Sequence, residues 1–102
     1  MNTVILTGKL NFEAKVMKSK NGKAFATFML NVYQGKDKDG KNFYRNYSVK
    51  VFNEKYANAL ANIAKGSALI VAGKSMVETY EKDGKTQFTN HIYADFIGTE
   101  LQ

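Results

Sequence analysis

The chain has 102 residues, 44% hydrophobic and 24% charged, with 15 basic side chains against 9 acidic ones. That composition suits one globular domain with a modest core and excludes a disordered chain. The absence of cysteine, with His91 as the lone histidine, excludes disulfides, thiolate zinc sites, cysteine nucleophiles and two-histidine metal sites. No apolar run approaches the roughly 20 residues of a membrane span. No signal-peptide pattern opens the chain, so a cytoplasmic setting is expected.

A period of two dominates the pattern and predicts strands. Residues 3–10 alternate, with Val4, Leu6, Gly8 and Leu10 on one face. Residues 12–18 continue this as a bent strand. Residues 19–23 form a turn around Asn21-Gly22, the strongest short-range hairpin signal. In residues 24–33, Ala26, Phe28, Leu30 and Val32 share one face; Phe25, Thr27, Met29, Asn31 and Tyr33 share the other. Residues 34–42 are polar, with Gly35 and Gly40, and read as a long hairpin loop. Residues 43–52 are the next strand.

The period then changes. Residues 54–65 are alanine-rich, with Tyr56, Leu60 and Ile63 spaced for one helical face. Asn53 caps the start of this helix and Gly66 its end. Residues 67–80 return to strand, with Gly73 inside it. Asp83-Gly84 marks a second hairpin turn, and residues 86–97 are the last strand, with Phe88, Ile92, Ala94 and Phe96 on one side. Three strands, a helix and two strands suit an all-β fold with one helix. The expected form is a five-stranded antiparallel Greek-key barrel, the OB-fold, with the helix between its third and fourth strands. Gly8 and Gly73 fall where strands must bend to close it. An open sheet with one helix packed on it is the alternative.

Catalytic constellations fail one by one. Gly73-Lys74-Ser75 resembles the end of a phosphate-binding loop, but Ala68 stands where that motif needs glycine, and strand flanks both sides. Asp37-Lys38-Asp39-Gly40 lacks the remaining ligands of a calcium loop. His91 has no serine, cysteine or carboxylate pattern beside it. Glu78 and Glu81 read as a solvated face. No enzyme activity, metal or cofactor is expected.

The net charge of +6 favours a polyanionic partner. All but Arg45 of the 15 cations are lysines, point charges for phosphates rather than readers of bases. There are seven phenylalanines and six tyrosines. Phe28 and Phe96 share faces with aliphatic residues and belong to the core. Phe52 instead shares parity with Tyr44, Asn46, Ser48 and Lys50, while Tyr80 shares it with Lys74 and Met76. Rings beside lysines on an open sheet fit single-strand binding, with bases stacked on rings and lysines along phosphates. Packing of Phe52 at the end of the barrel or beneath the helix is the alternative. Lys36, Lys38, Lys41, Lys82 and Lys85 lie in the hairpin loops, nearly cancelled there by Asp37, Asp39, Glu81 and Asp83.

At this point an ordered set of motifs resembles a known family. Asn2-Thr3-Val4-Ile5-Leu6-Thr7-Gly8-Lys9-Leu10 resembles the opening strand of bacterial-type single-stranded DNA-binding proteins. Asn21-Gly22 with Ala26-Thr27-Phe28-Met29-Leu30 is similar to their second strand. Val49-Lys50-Val51-Phe52, Ala64-Lys65-Gly66-Ser67 and Val71-Ala72-Gly73-Lys74 are similar to their centre, and Tyr80 with Asp83-Gly84-Lys85 to their last hairpin. The resemblance implies an OB-fold that binds single-stranded DNA with little sequence preference, as a homo-oligomer, a tetramer or a dimer. It places stacking aromatics at Phe52 and Tyr80, a substitute at Tyr47, another at Tyr33 or Tyr44, and a basic residue at Lys65. Lys50, Lys74, Arg45 and Lys36 complete the candidate set. The implied role is non-catalytic, in DNA replication, recombination and repair. An OB-fold accessory for a helicase, primase or initiator, and an RNA-binding OB domain, are the alternatives.

The departures from the family are specific. No tryptophan is present, and Met76-Val77-Glu78-Thr79 replaces a basic run, both implying weaker binding. The chain ends with the barrel, so recruitment of partners through an acidic tail is not supported. Such a short form resembles versions carried by phages, plasmids or other mobile elements; a domain trimmed from a longer chain would look the same.

Overall fold

The computed structural model describes residues 2–99. In chain order it contains β1 (Val4–Leu10), β2 (Lys15–Lys18), β3 (Ala24–Lys36), β4 (Asn42–Val51), α1 (Glu54–Leu60), β5 (Ala68–Lys82) and β6 (Lys85–Thr99). The strands hydrogen-bond in the order β1-β5-β6-β4-β3-β2, and β1 also pairs with β3. Five strands therefore close into the OB barrel, and β2 extends it as a short flap on β3.

The bent first strand is broken in two. β1 meets β3 at Lys9↔Asn31 and Leu10↔Leu30; β2 meets it at Lys15↔Thr27 through Lys18↔Ala24. Residues 11–14 make the corner between these pairings. The expectation of purely antiparallel pairing also needs correction. β4 and β6 run parallel, from Ser48↔His91 to Val51↔Ala94. These strands are joined through α1 and β5 rather than a hairpin, so no tight turn forces them antiparallel.

Closure happens at two glycines. A Cβ on Gly8 would lie 2.5 Å from the Asn31 carbonyl oxygen, and one on Gly73 would lie 2.1 Å from that of Tyr93. Neither distance is tolerable, so backbone can approach backbone there because the side chain is absent.

Inside the barrel, Leu10, Leu30, Val49, Val51, Leu69 and Val71 are fully buried, with Leu60 of α1 among them. In β1, β3 and β4 these follow the alternation read from the sequence. Burying each such side chain contributes about 1.5–3 kcal/mol. α1 adds Ala57 and Leu60 to the same core. Asn53 caps it by accepting a hydrogen bond from the Tyr56 N–H, and Glu54 Oε2 accepts one from the Ala24 N–H, tying helix to β3.

The helix is shorter than its periodicity suggests. After Leu60 the backbone tightens into i→i−3 bonds, from Ala61, Asn62 and Ile63 to Asn58, Ala59 and Leu60. Gly66 does not end the helix. Its N–H donates to the Leu10 carbonyl and so steers the chain into β5.

Both hairpins are longer and tighter than expected. The 34–42 loop is partly strand, because β3 and β4 stay paired to Lys36↔Asn42 across a bulge at Gln34. What remains is closed by Asp37, whose Oδ1 accepts from the Asp39 and Lys41 N–H groups. The Asp83-Gly84 turn has both residues at positive φ, 54° and 75°, as a two-residue hairpin with right-handed strand twist requires. Beyond the barrel, β5 and β6 continue as a two-stranded arm. The radius of gyration, 14.9 Å, exceeds the roughly 13 Å of a compact 100-residue domain because of these projections.

Phe96 is a second correction, since its ring is 47% exposed rather than core. Gly73 pairs with Ala94 but Ala72 with Phe96, so Asp95 is an extra residue in β6. That bulge reverses the parity, and Ile97 takes the inward place. Phe96 packs edge-on against Tyr56 instead. Phe88 also lies outside the core, exposed on the arm.

The close approach at Gly73 gives a direct test. Gly73→Ala is expected to destabilise the fold by about 1–3 kcal/mol or more, read by urea unfolding. Unchanged stability would mean that the strands do not meet there.

Candidate nucleic-acid interface

The alternation that points aliphatic residues inward sends a second set outward across β3, β4, β6 and β5. Register turns these separate parities into one surface. Tyr33 stands opposite Tyr44, Asn31 opposite Asn46, Met29 opposite Ser48 and Thr27 opposite Lys50. Across the parallel seam, Ser48 faces His91 and Lys50 faces Tyr93. Across the last pairing, Tyr93 faces Lys74 and His91 faces Met76.

Aromatic rings stand at two ends of this face. At one end Phe52 stacks on Phe25, centroids 5.9 Å apart and 21° between planes, and lies 5.8 Å from Tyr93. Phe52 is nevertheless 60% exposed, so the alternative that it packs in the barrel or under α1 is excluded. Lys50 Nζ lies 5.9 Å from the Tyr93 ring centroid, within cation–π range. At the other end Tyr33 and Tyr44 meet edge to face at 5.5 Å, each about half exposed. They line a groove of about 390 Å³ with Thr7, Gly8, Lys9, Asn31 and Ala68.

Between the two ends the face is polar. Asn46 Oδ1 accepts hydrogen bonds from Asn31 Nδ2 at 2.9 Å and Asn11 Nδ2 at 3.2 Å. His91 Nδ1 lies 2.9 Å from Ser48 Oγ. Glu78 is no mere solvated charge. It accepts a hydrogen bond from the Tyr93 hydroxyl and lies 3.7 Å from Lys50 Nζ and 3.6 Å from His91 Nε2. The Tyr93 bond, opposed by desolvation and helped by Lys50 and His91, holds its carboxyl below the ordinary value. The same bond pushes the Tyr93 phenol up.

The residues singled out in the sequence divide by face. Phe52, Lys50, Tyr44, Tyr33 and Lys74 share the face, and Lys36, opposite Asn42, extends it to the hairpin tip. Tyr80 has the same parity as Lys74 but stands out on the arm, opposite Gln87. Tyr47 does not join them, because its parity follows Val49 and its ring packs against the core. Arg45, opposite the inward Val32, alternates to the other side as well. Lys65 belongs to the turn between α1 and β5.

Sequence reasoning missed Phe25 and Tyr93, because only register sets them beside Phe52. It also passed over Lys18, Lys20 and Lys23. These three lysines surround a groove of about 550 Å³ that ends at Phe25 and Phe52. Their signal was visible in Lys18-Ser19-Lys20-Asn21-Gly22-Lys23, a run without an acidic residue. Among the described residues no cluster of histidines and carboxylates could hold a metal, and no helix is long and apolar enough to cross a membrane.

A closed OB barrel with exposed rings and lysines along one face is the architecture of a protein that handles single-stranded nucleic acid. The chain belongs to the single-strand binding protein family, whose family model matches residues 1–99. It is 30% identical over 99 residues to the single-stranded DNA-binding protein of Clostridium tetani, covering 95% of this chain and 68% of that one. Its fold is similar to the small single-stranded DNA-binding protein of Streptomyces coelicolor, with a TM-score of 0.77, 21% identity and coverage of 98% and 94% of the two chains. It is also similar to the Plasmodium falciparum protein solved in complex with single-stranded DNA, with a TM-score of 0.85, 16% identity and coverage of 99% and 96%.

The Glu78 contacts predict a pH effect. A carboxyl whose pKa drops on folding stabilises the fold above its ordinary value of 4.5, and that contribution disappears as pH falls through the lowered value. Glu78→Gln is therefore expected to melt below the wild type at neutral pH, with the gap closing in acid. A gap that stays constant across that range would show that the carboxylate charge contributes nothing.

Proposed function

We propose that this protein binds single-stranded DNA along the face described above, without catalysis and with little sequence preference. Phe52, with Phe25 and Tyr93 beside it, and the Tyr33–Tyr44 pair offer the stacking surfaces. Lys9, Lys50 and Lys74 follow the phosphates, and Lys18, Lys20, Lys23 and Lys36 extend the positive path at the edges. Tyr80 on the arm meets a strand that continues past the barrel. The observation that carries this reading is the register itself. It gathers exposed rings and lysines from four strands onto one side of the barrel while the aliphatic set fills the other.

Stacking suits this partner because every base offers a π-face, so affinity needs no particular sequence. Lysine charges suit it because phosphates are common to all sequences. Duplex DNA is a poor fit, since its bases are already stacked on one another. The physiological role that follows is cover for exposed strands during DNA replication, recombination and repair, in the cytoplasm. Family membership also supports assembly as a homo-oligomer, with a tetramer the expected form and a dimer the alternative.

The test is a titration with oligo-dT watched by tyrosine fluorescence at several salt concentrations, with duplex DNA and oligo-U as competitors. Expected are quenching, affinity that falls as salt rises, and poor competition by duplex. Phe52→Ala and Tyr44→Ala should each weaken binding about 5- to 150-fold, from about 1–3 kcal/mol per stacked base, with folding unchanged. Equal competition by oligo-U would move the reading to RNA. An absence of binding at low salt would overturn it in favour of a protein partner.

A further inference from the structure

The centre of the face holds an anion of its own. Glu78 projects from β5 among the groups that should receive a phosphate. Its carboxylate meets the Tyr93 hydroxyl from β6, Lys50 Nζ from β4 at 3.7 Å, and His91 Nε2 from β6 at 3.6 Å. Each of these groups donates a hydrogen bond or carries positive charge, with His91 cationic only when protonated. Lys74, opposite Tyr93, adds another cation at the border of the cluster. Among the described residues, Glu78 is the carboxylate in contact with this set.

We propose that Glu78 is an internal competitor for the DNA backbone: its carboxylate occupies the position of a phosphate among Lys50, Tyr93 and His91, and a bound strand displaces it. The inference rests on the binding reading above and adds a residue that sets its strength. While Glu78 holds Lys50, that lysine's charge is already partly neutralised, and the carboxylate repels an approaching phosphate. Binding therefore includes breaking an existing ion pair. The pair is partly exposed, its side chains 28% and 43% accessible, so the exchange costs little and is reversible. Such a device lowers affinity without removing the stacking surfaces. It suits a protein that must release its strand to other machinery.

Three variants test this in oligo-dT titrations across a range of salt. Glu78→Gln keeps the shape and removes the charge. It is expected to bind about two- to fivefold more tightly at low salt, with a salt slope steeper by about 0.7 as one more phosphate is engaged. Glu13→Gln makes the same change in net charge on the loop between β1 and β2, beside the end of α1 with Leu60 and Ala61. It should alter binding little. In a Lys50→Met background, Glu78→Gln should lose part of its gain, because no lysine remains to be released while the repulsion of phosphate by the carboxylate is still removed. Circular dichroism and thermal melting establish that each variant is folded. If the wild type binds and Glu78→Gln binds no more tightly, the proposal fails and the binding reading stands. The proposal fails in the same way if Glu13→Gln tightens binding equally, or if the gain is undiminished in the Lys50→Met background. If neither wild type nor Glu78→Gln binds at low salt, the binding reading fails and this one with it.

Discussion

A five-stranded sheet closes only if its strands bend hard enough for backbones to touch, and here they touch at Gly8 and Gly73. Everything else hangs on that closure. Once β1 reaches both β3 and β5, the inside of the barrel is sealed and takes the aliphatic residues of every strand. The opposite parity is then committed to one outer side. Had the sheet stayed open, the same alternation would have spread rings and lysines across a broad, flat surface. Curvature gathers them into a band whose ends are marked by Phe52 and by the Tyr33–Tyr44 pair.

The band is electrostatically uneven. Lysines dominate its edges, above all around the Lys18–Lys23 turn, a run without an acidic residue whose nearby carboxylate is Glu54 on the Ala24 N–H. Its middle is a hydrogen-bonded polar patch of Asn31, Asn46, Ser48 and His91, with Glu78 engaged by three partners. Side chains held this way are less free to turn and add little entropy cost when a ligand arrives. The 36–41 hairpin tip differs, because Asp37 uses its carboxylate to close the turn. Those bonds fix where the Asp37 carboxylate sits, and its charge still offsets the lysines of the tip.

Much of this was legible in the chain. Alternation named the inward faces of β1, β3 and β4 and set Phe52 on the parity of Lys50, but parity alone did not separate an exposed ring from one packed at the end of the barrel. Glycine inside strand patterns located the closure points. What alternation lacks is register between strands. Phe25 and Tyr93 were therefore invisible as neighbours of Phe52, and the contacts of Glu78 with Lys50 and His91 could not be drawn. A single extra residue at Asp95 was enough to turn Phe96 from inward to outward. The helix reads longer than it is because Ala61, Ile63 and Ala64 continue a helical composition after the backbone has begun to turn toward β5. Tyr47 entered the candidate set by resemblance, although its own parity with Val49 pointed inward.

The proposed binding puts the strand on one side of the barrel. Ultraviolet cross-linking to oligo-dT, followed by mapping of the modified peptides, tests it residue by residue. Adducts are expected at Phe52, Tyr93, Tyr33 and Tyr44, and none at Phe12, Tyr47 or Phe88. Adducts concentrated on Phe12 or Phe88, with the four predicted rings unmodified, would contradict it and place the strand on a different surface.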